Sequence, residues 1–224
     1  MLKPTKRLTK KQMKEDKLVT TYFKVIDYIN QNSKIVSGVI IGIAAIILLT
    51  MLFIRSKRSA EINASVELTK ARVELLNNNG ETAADILQSL IQNYGGTRTA
   101  GRGVFYLANI YYEQEKYDES LQYYQKYLDD YDDDIIISSS SYSGMAACFE
   151  QKGEYLKAAN FYKDGAEKYS EHFEASRQLM SAARCFRLAN NKIEARKLYQ
   201  LIIDKYPESK YKKNAELYLN ELQG

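Results

Sequence analysis

The side chains of this chain that are best suited to metal or redox chemistry are two cysteines and a single histidine. Cys148 and Cys185 occupy matching positions in two similar stretches, each followed by a phenylalanine, so we expect both to be small apolar residues inside the fold. A disulfide is conceivable in an oxidising compartment. It is disfavoured because matching positions on neighbouring helices lie about 8 to 10 Å apart, beyond the usual Cα limit. His172 has no cysteine at ligand spacing, which argues against a zinc site.

A run of aspartates is the other cluster that could attract a metal ion. It lacks the glycine and the distal glutamate of a calcium-binding loop, so a solvated loop is the simpler interpretation. The run consists of Asp129, Asp130, Asp132, Asp133 and Asp134.

Groups suited to catalysis are equally sparse. The sequence has no G-x-S-x-G motif and no glycine-rich phosphate cradle, and His172 is the only histidine that could act as a general base. We therefore predict a protein that is not an enzyme and that needs no cofactor.

The elements that would position any binding residue begin with an apolar segment. Residues Ile35–Ile54 include no charged side chain in twenty positions and are flanked by Lys34 and Arg55. At 1.5 Å per residue this length spans about 30 Å, the thickness of a bilayer's hydrocarbon core. We predict a transmembrane helix at 35–54. A buried core helix is the alternative, and a cleaved signal peptide would have a shorter apolar region and a small-residue cleavage site.

The segment before the span is basic. Residues 1–34 hold nine Lys and Arg against three Asp and Glu, which predicts a cytoplasmic N-terminus and a domain at 55–222 on the far side. Within twenty residues of each end of the span the count reverses, three bases before and five after, but long domains cross largely regardless of charge. The pI of 8.8 reflects this tail, and no basic patch with interleaved aromatics predicts nucleic-acid binding.

Helical patterns surround the span on both sides. Apolar residues from Leu18 to Ile29 recur at helical spacing, which predicts an amphipathic helix at the membrane surface or a helical extension of the anchor. No Pro or Gly interrupts residues 55–76, so the helix is expected to continue past the span. Gly38 and Gly42 form a GxxxG pair that could bring two anchors into contact as a homodimer, although this motif is often incidental.

Internal repetition organises the rest of the chain. Tyr94, Tyr131, Tyr169 and Tyr206 lie 37, 38 and 37 residues apart, and similar residues precede each of them. Alanines at matching positions allow helices to approach closely while larger residues fill the neighbouring holes, so each helical hairpin buries its apolar face by stacking on the next.

These stretches resemble the tetratricopeptide repeat. The segment LANIYYEQEKYDESLQYYQKYL at Leu107–Leu128 follows the family pattern almost throughout, with Ser120 in place of the usual alanine. The resemblance implies an all-α fold, in which one transmembrane helix precedes a superhelical array of about four helical hairpins and a C-terminal capping helix. The expected repeats are residues 60–97, 101–134, 139–172 and 176–209, followed by a cap at 210–222.

The layout of tail, span and repeats also resembles the YfgM-like ancillary subunits of the Sec translocon. The segment TYFKVIDYINQNSKIVSGVIIGIAAIIL has the same order of aromatic helix, polar break and glycine-containing span. This resemblance implies a module on the periplasmic side of a bacterial inner membrane, anchored in lipid, whose partners are translocon subunits or exported polypeptides.

The tetratricopeptide resemblance also indicates where a partner would bind, because the first helices of such hairpins line a concave groove. Arginines at this face could clamp carboxylates or backbone carbonyls, and aromatics could provide contact area for extended polypeptide, although three arginines on one helix can also be a solvated face. The candidate groove residues are Phe105, Asn109 and Tyr112 in the second repeat and Arg177, Arg184 and Arg187 in the fourth.

Three functions are compatible with this organisation. The first is recruitment or brief holding of polypeptide at the periplasmic face of the inner membrane. The second is a scaffold for a cell-wall or outer-membrane assembly complex, and the third is an adaptor that faces the cytosol in the manner of an import receptor.

Overall fold

A computed structural model describes the backbone of residues 10–222 and the side chains of residues 17–222. Lys3, Lys6 and Arg7 of the predicted basic tail lie outside the described residues. Within the described range the fold is entirely helical and has no strands, which confirms the predicted class. The helices are α1 Lys10–Gln31, α2 Ser33–Leu76, α3 Gly80–Tyr94, α4 Arg98–Glu113, α5 Tyr117–Asp130, α6 Ile135–Gln151, α7 Tyr155–Lys168, α8 Ala175–Leu188, α9 Lys192–Lys205 and α10 Lys212–Glu221.

The chain divides into two units, Met1–Ser56 and Lys57–Gly224. In the first unit, α2 contains a segment that is long and apolar enough to cross a membrane, and none of that segment is buried by the rest of the chain. A Cβ atom added at Gly38 or Gly42 would meet no atom within 4 Å, so that face of α2 is open. Most of the apolar side chains between Leu18 and Ile29 of α1 are likewise exposed, for example Leu18 at 70%.

The second unit consists of helices that pack in chain order, each against the next. The hairpins are α2 with α3, α4 with α5, α6 with α7, and α8 with α9, and α10 packs on α9 as the expected cap. The alanines that the repeat pattern places at close approaches are fully buried, among them Ala108, Ala146 and Ala182. Because the alanine side chain is only a methyl group, the helical backbones can approach each other closely at these positions.

The periodic tyrosines connect successive repeats through their hydroxyl groups. Tyr131 donates to the carbonyl of Gly95 at 2.8 Å, and Tyr169 donates to the Asp132 carboxylate at 2.9 Å. Tyr206 completes the series by donating to the carbonyl of Ser170, also at 2.9 Å. Each acceptor lies in the loop that ends the preceding hairpin, so the 37-residue period corresponds to a repeated contact between loops.

Asp129 and Asp130 of the acidic run are the last two residues of α5, and Asp132, Asp133 and Asp134 lie in the loop between α5 and α6, where the prediction placed the whole run. Much of the run is paired rather than simply solvated. Asp134 is the N-cap of α6 and accepts hydrogen bonds from two backbone N–H groups of its first turn. Asp132 accepts from Tyr169 and lies 3.1 Å from Lys168. Burial alone would raise the pKa of Asp132, but hydrogen bonds from Ser138, Lys168 and Tyr169 outweigh it and lower the pKa.

Candidate polypeptide-binding surface

The predicted groove residues lie on α4 and α8, the first helices of two hairpins. The start of α4 is held by two caps, because Thr97 accepts from the backbone N–H of Ala100 and the Glu61 carboxylate accepts from the N–H groups of Arg98 and Thr99. Glu61 belongs to α2, so a side chain from the first hairpin satisfies donors that α4 cannot pair within itself.

The α4 residues are partly exposed and also pack neighbouring helices together. The Phe105 ring lies 5.8 Å from the Tyr124 ring, and the Asn109 side-chain oxygen accepts a hydrogen bond from the Tyr124 hydroxyl. Tyr112 stacks edge-on against Tyr117 of α5 at 5.7 Å. The three residues predicted to contact a partner therefore also hold α4 against α5.

The α8 arginines each have a partner within the fold. Arg177 pairs with Glu174 one turn earlier, and Arg184 makes a bidentate pair with Glu150 of α6. Arg187 lies over the ring of Tyr218, 4.9 Å from its centroid. The arginines lie on one helix as predicted, but they are not equivalent, because their ionic partners and their surroundings differ.

Two cross-helix contacts join α4, α6 and α8 along this side of the array. The Gln151 amide donates to the Tyr112 hydroxyl at 3.3 Å, and Arg184 donates to Glu150 at 2.6 and 2.8 Å. Pairing with Arg184 lowers the pKa of Glu150 below its ordinary value, so the carboxylate is ionised at neutral pH.

The structure brings some of the predicted residues into two separate concavities. Arg184 and Arg187 line a concavity of about 380 Å³ between α8, α9 and α10, whose other walls are Met180, Leu188, Tyr199, Tyr211, Asn214 and Tyr218. Asn109 lines a concavity of about 350 Å³ together with Leu75, Asn78, Gly80, Tyr106, Ile110, Glu113 and Gln114. Phe105, Tyr112 and Arg177 line neither of them.

Several residues of these surfaces were not predicted from the sequence. Glu150 and Gln151 lie at the end of α6, and Tyr199, Asn214 and Tyr218 come from the last hairpin and the cap. The pairing of Glu150 with Arg184 has one weak signal in the sequence. The two residues have opposite charges and lie 34 positions apart, slightly less than one repeat. Nothing in the sequence distinguishes Tyr199 and Tyr218 as binding residues, because the chain has nineteen tyrosines.

Both cysteines are buried and free, which agrees with the predicted packing role. The Cys148 thiol donates to the Ser120 hydroxyl at 3.3 Å. Burial raises the pKa of both thiols, and for Cys185 the nearby Glu150 charge adds to it and the pKa is about 12. Among the described residues no group of three or more His, Cys, Asp and Glu side chains is arranged to hold a metal ion.

Comparison with known proteins identifies the repeats. Residues 104–134 and 179–209 match the family model of the tetratricopeptide repeat. The chain contains tetratricopeptide repeats. Such repeats are protein–protein interaction modules and are generally non-catalytic scaffolds, so they indicate that this chain binds other proteins.

Solved structures with the same fold include other repeat proteins. A tetratricopeptide repeat protein from Parabacteroides merdae ATCC 43184 is 19% identical with a TM-score of 0.58, over 72% of this chain and 60% of that one. BtubC from P. vanneervenii is 11% identical with a TM-score of 0.57, over 72% of this chain and 66% of that one. The chain thus spans less than two thirds of either protein, and at these identities the likeness concerns the fold alone. No curated protein sequence matches the chain.

Proposed function

We propose that this protein is a membrane-anchored module that recruits or briefly holds polypeptides at the periplasmic face of a bacterial inner membrane. In this proposal residues 35–54 cross the membrane, the N-terminus is cytoplasmic, and the repeats at 55–222 are periplasmic. The protein would act as an ancillary subunit of the Sec translocon of the YfgM-like kind, with translocon subunits and exported chains as partners.

The observation that carries the proposal is the presence, in one chain, of an interaction array and an apolar helical segment without a charge. Twenty uncharged residues on α2 are exposed along their length, an arrangement that water does not favour and that a bilayer does. A repeat array tethered at such a segment would meet polypeptides at the membrane rather than throughout a compartment.

The side of the array formed by α4, α6 and α8 supports polypeptide binding in particular. It presents half-buried aromatics and arginines at fixed positions, because each is held by a neighbour: Tyr112 by Gln151, and Arg184 by Glu150. Preorganised aromatic and arginine side chains lose little entropy on contact with an extended chain. Arg177, which is exposed and paired only within its own helix turn, is the best-placed residue for a first contact.

Site-directed photo-crosslinking in native membranes tests this proposal. The full-length chain would receive a photoreactive amino acid in place of Arg177, and a matched variant would receive it in place of Arg196, an exposed arginine on α9. After irradiation, the purified adducts would be identified by mass spectrometry. We expect translocon subunits and assorted exported chains at position 177 and fewer at position 196.

Two other results would contradict the proposal, and each would favour one of the two alternative functions described above. Recovery of one envelope-assembly protein without translocon subunits would indicate a dedicated scaffold. Resistance of the repeats to protease in cells whose outer membrane is permeabilised and whose inner membrane is intact would indicate an adaptor that faces the cytosol.

A further inference from the structure

Helix α1 has an apolar face that the described part of the chain leaves open. Among the described residues, the buried apolar clusters draw on α2 to α10 and include no side chain of α1. Tyr22 lies near the centre of this face and is 62% exposed. Successive residues of a helix are about 100° apart, so the apolar side chains fall within an arc of about 160°. They are Leu18, Val19, Tyr22, Phe23, Val25, Ile26 and Ile29.

The opposite face of α1 is polar. Lys17, Thr20, Lys24 and Asp27 lie on it, and Asn30, near the end of the helix, is the exception that falls within the apolar arc. The apolar arc is wider than the narrow seam of a coiled coil. A broad apolar surface, rather than one partner helix, is therefore needed to cover it.

The charge of this segment favours an anionic surface. Residues 1–34 include nine Lys and Arg and three Asp and Glu, a net side-chain charge of +6. Bases that lie within a Debye length of a membrane are attracted by its anionic headgroups. Tyr22, Phe23 and Tyr28 are exposed aromatic residues, which favour the boundary between the headgroups and the acyl chains.

The covalent chain keeps α1 close to the apolar segment. Helix α1 ends at Gln31 and the uncharged segment begins at Ile35, so even a fully extended chain separates them by only about 14 Å. Asn32 lies between α1 and α2, and its side-chain amide and its backbone N–H both donate to the Tyr28 carbonyl at 3.0 Å. Asn side chains compete with helical hydrogen bonding, so this polar break is where the helix axis can turn.

We propose that α1 is an interfacial helix that lies on the anionic phospholipid surface beside the N-terminal end of the span. The face centred on Tyr22 contacts the acyl chains, and Lys17 and Lys24 point towards the headgroups. The inference rests on the part of the proposed function in which residues 35–54 cross a membrane. It adds a second lipid contact to the anchor, and it is independent of the polypeptides that the repeats bind.

Tryptophan fluorescence of the full-length chain in nanodiscs tests the inference. The chain has no tryptophan, so one introduced residue reports on α1 alone. Tyr22→Trp places this probe on the apolar face, and Thr20→Trp is the matched variant about 160° away on the polar face. The nanodiscs would contain phosphatidylglycerol and a phosphatidylcholine with brominated acyl chains, which quench tryptophan on contact. We expect quenching at least about threefold stronger at position 22 than at position 20, because the apolar face of an interfacial helix is buried about 5 to 10 Å.

A change of lipid and a second pair of variants separate the charge from the apolar face. With the brominated lipid held constant, replacement of phosphatidylglycerol by phosphatidylcholine should weaken quenching at position 22. In the Tyr22→Trp chain, Val25→Asp should reduce quenching at least about threefold, and Thr20→Asp, which changes the charge equally on the polar face, should reduce it less. Quenching that does not depend on phosphatidylglycerol would overturn the assignment to an anionic surface.

A probe in the span distinguishes failure of this inference from failure of the function on which it rests. Strong quenching of Leu48→Trp with none at position 22, or equal quenching at positions 20 and 22, would overturn the inference and leave the span standing. Blue-shifted emission without quenching at position 22 would show a face covered by protein, such as a second copy of this chain, and would also overturn it. Absence of quenching at position 48 would contradict the membrane span and both proposals with it.

Discussion

Arg184 of α8 and Glu150 of α6 form a bidentate ion pair, with Nη1 2.6 Å from Oε1 and Nη2 2.8 Å from Oε2. The two residues lie 34 positions apart in sequence and belong to successive hairpins. An arginine predicted to contact a partner is thus also a connection between repeats, and its substitution will affect stability as well as binding.

We predict that this pair stabilises the array by about 1 kcal/mol, since both side chains are partly exposed and solvent screens the interaction. A double-mutant cycle with Glu150→Gln and Arg184→Gln, measured by chemical denaturation at neutral pH, gives the coupling free energy. The same cycle on the more exposed pair Lys126 and Asp130 is the control and should give less than about 0.5 kcal/mol.

The coupling free energy between Glu150 and Arg184 should also decrease as the pH becomes acidic. The pKa of Glu150 is lower in the folded protein than its ordinary value of 4.5, so the pair contributes fully above that value. Its contribution is lost as the pH falls below 4.5 through the lowered pKa, where the carboxyl group becomes protonated. A coupling energy that grows on acidification would contradict this assignment.

The cap that α2 provides to α4 predicts a larger effect. Glu61→Ala removes the acceptor for the N–H groups of Arg98 and Thr99, and we expect it to lower the free energy of unfolding by about 1 to 2 kcal/mol. Glu67→Ala is the matched control on the same helix, because Glu67 pairs only with the exposed Lys70. The stability of both variants would be measured by thermal unfolding, monitored by circular dichroism. Equal losses of stability in the two variants would show that the Glu61 cap does not stabilise the fold.

A close approach at Gly144 predicts strain on substitution. A Cβ atom there would lie 2.2 to 2.7 Å from atoms of the Tyr124 ring, which is itself only 3% exposed. Gly144→Ala should therefore lower stability by about 1 to 3 kcal/mol. Gly80→Ala, where a Cβ meets nothing within 4 Å, should leave the Tm unchanged or raise it slightly.

The open glycine face of α2 gives a prediction about association. If two anchors meet through Gly38 and Gly42, Gly38→Leu together with Gly42→Leu should reduce crosslinked dimer in membranes severalfold, because the larger side chains keep the helices apart. Substituting Ala44 and Ala45 by Leu, within the same apolar segment, is the control. Dimer that is unchanged in the glycine variant, or absent from the wild type, would contradict association through this motif.

The repetitive part of the fold could be predicted from the sequence because it depends on local periods. The spacing of Tyr131, Tyr169 and Tyr206 reflects one contact repeated between loops, and buried alanines such as Ala146 recur at matching positions. A pattern repeated in register is easy to recognise because each copy supports the others.

The candidate sites were less predictable because they depend on side-chain partners from different repeats. Arg177, Arg184 and Arg187 were identified as a set, but only the structure separates the arginine held by Glu150 from the one that lies over Tyr218. The contact between the rings of Tyr199 and Tyr218 has no sequence signature at all. It follows from the packing of α10 on α9, which no short pattern encodes.

The most direct test of the central claim is the affinity of the full-length chain in nanodiscs for one exported polypeptide in its unfolded and its folded form. We predict that the unfolded form binds more tightly, and that Arg177→Glu weakens this binding at least about fivefold through loss of one charged contact. Arg196→Glu on α9, which changes the net charge equally, should leave it unaltered. Equal affinity for the two forms, or equal effects of the two substitutions, would contradict the claim that this face of the repeats binds extended polypeptide.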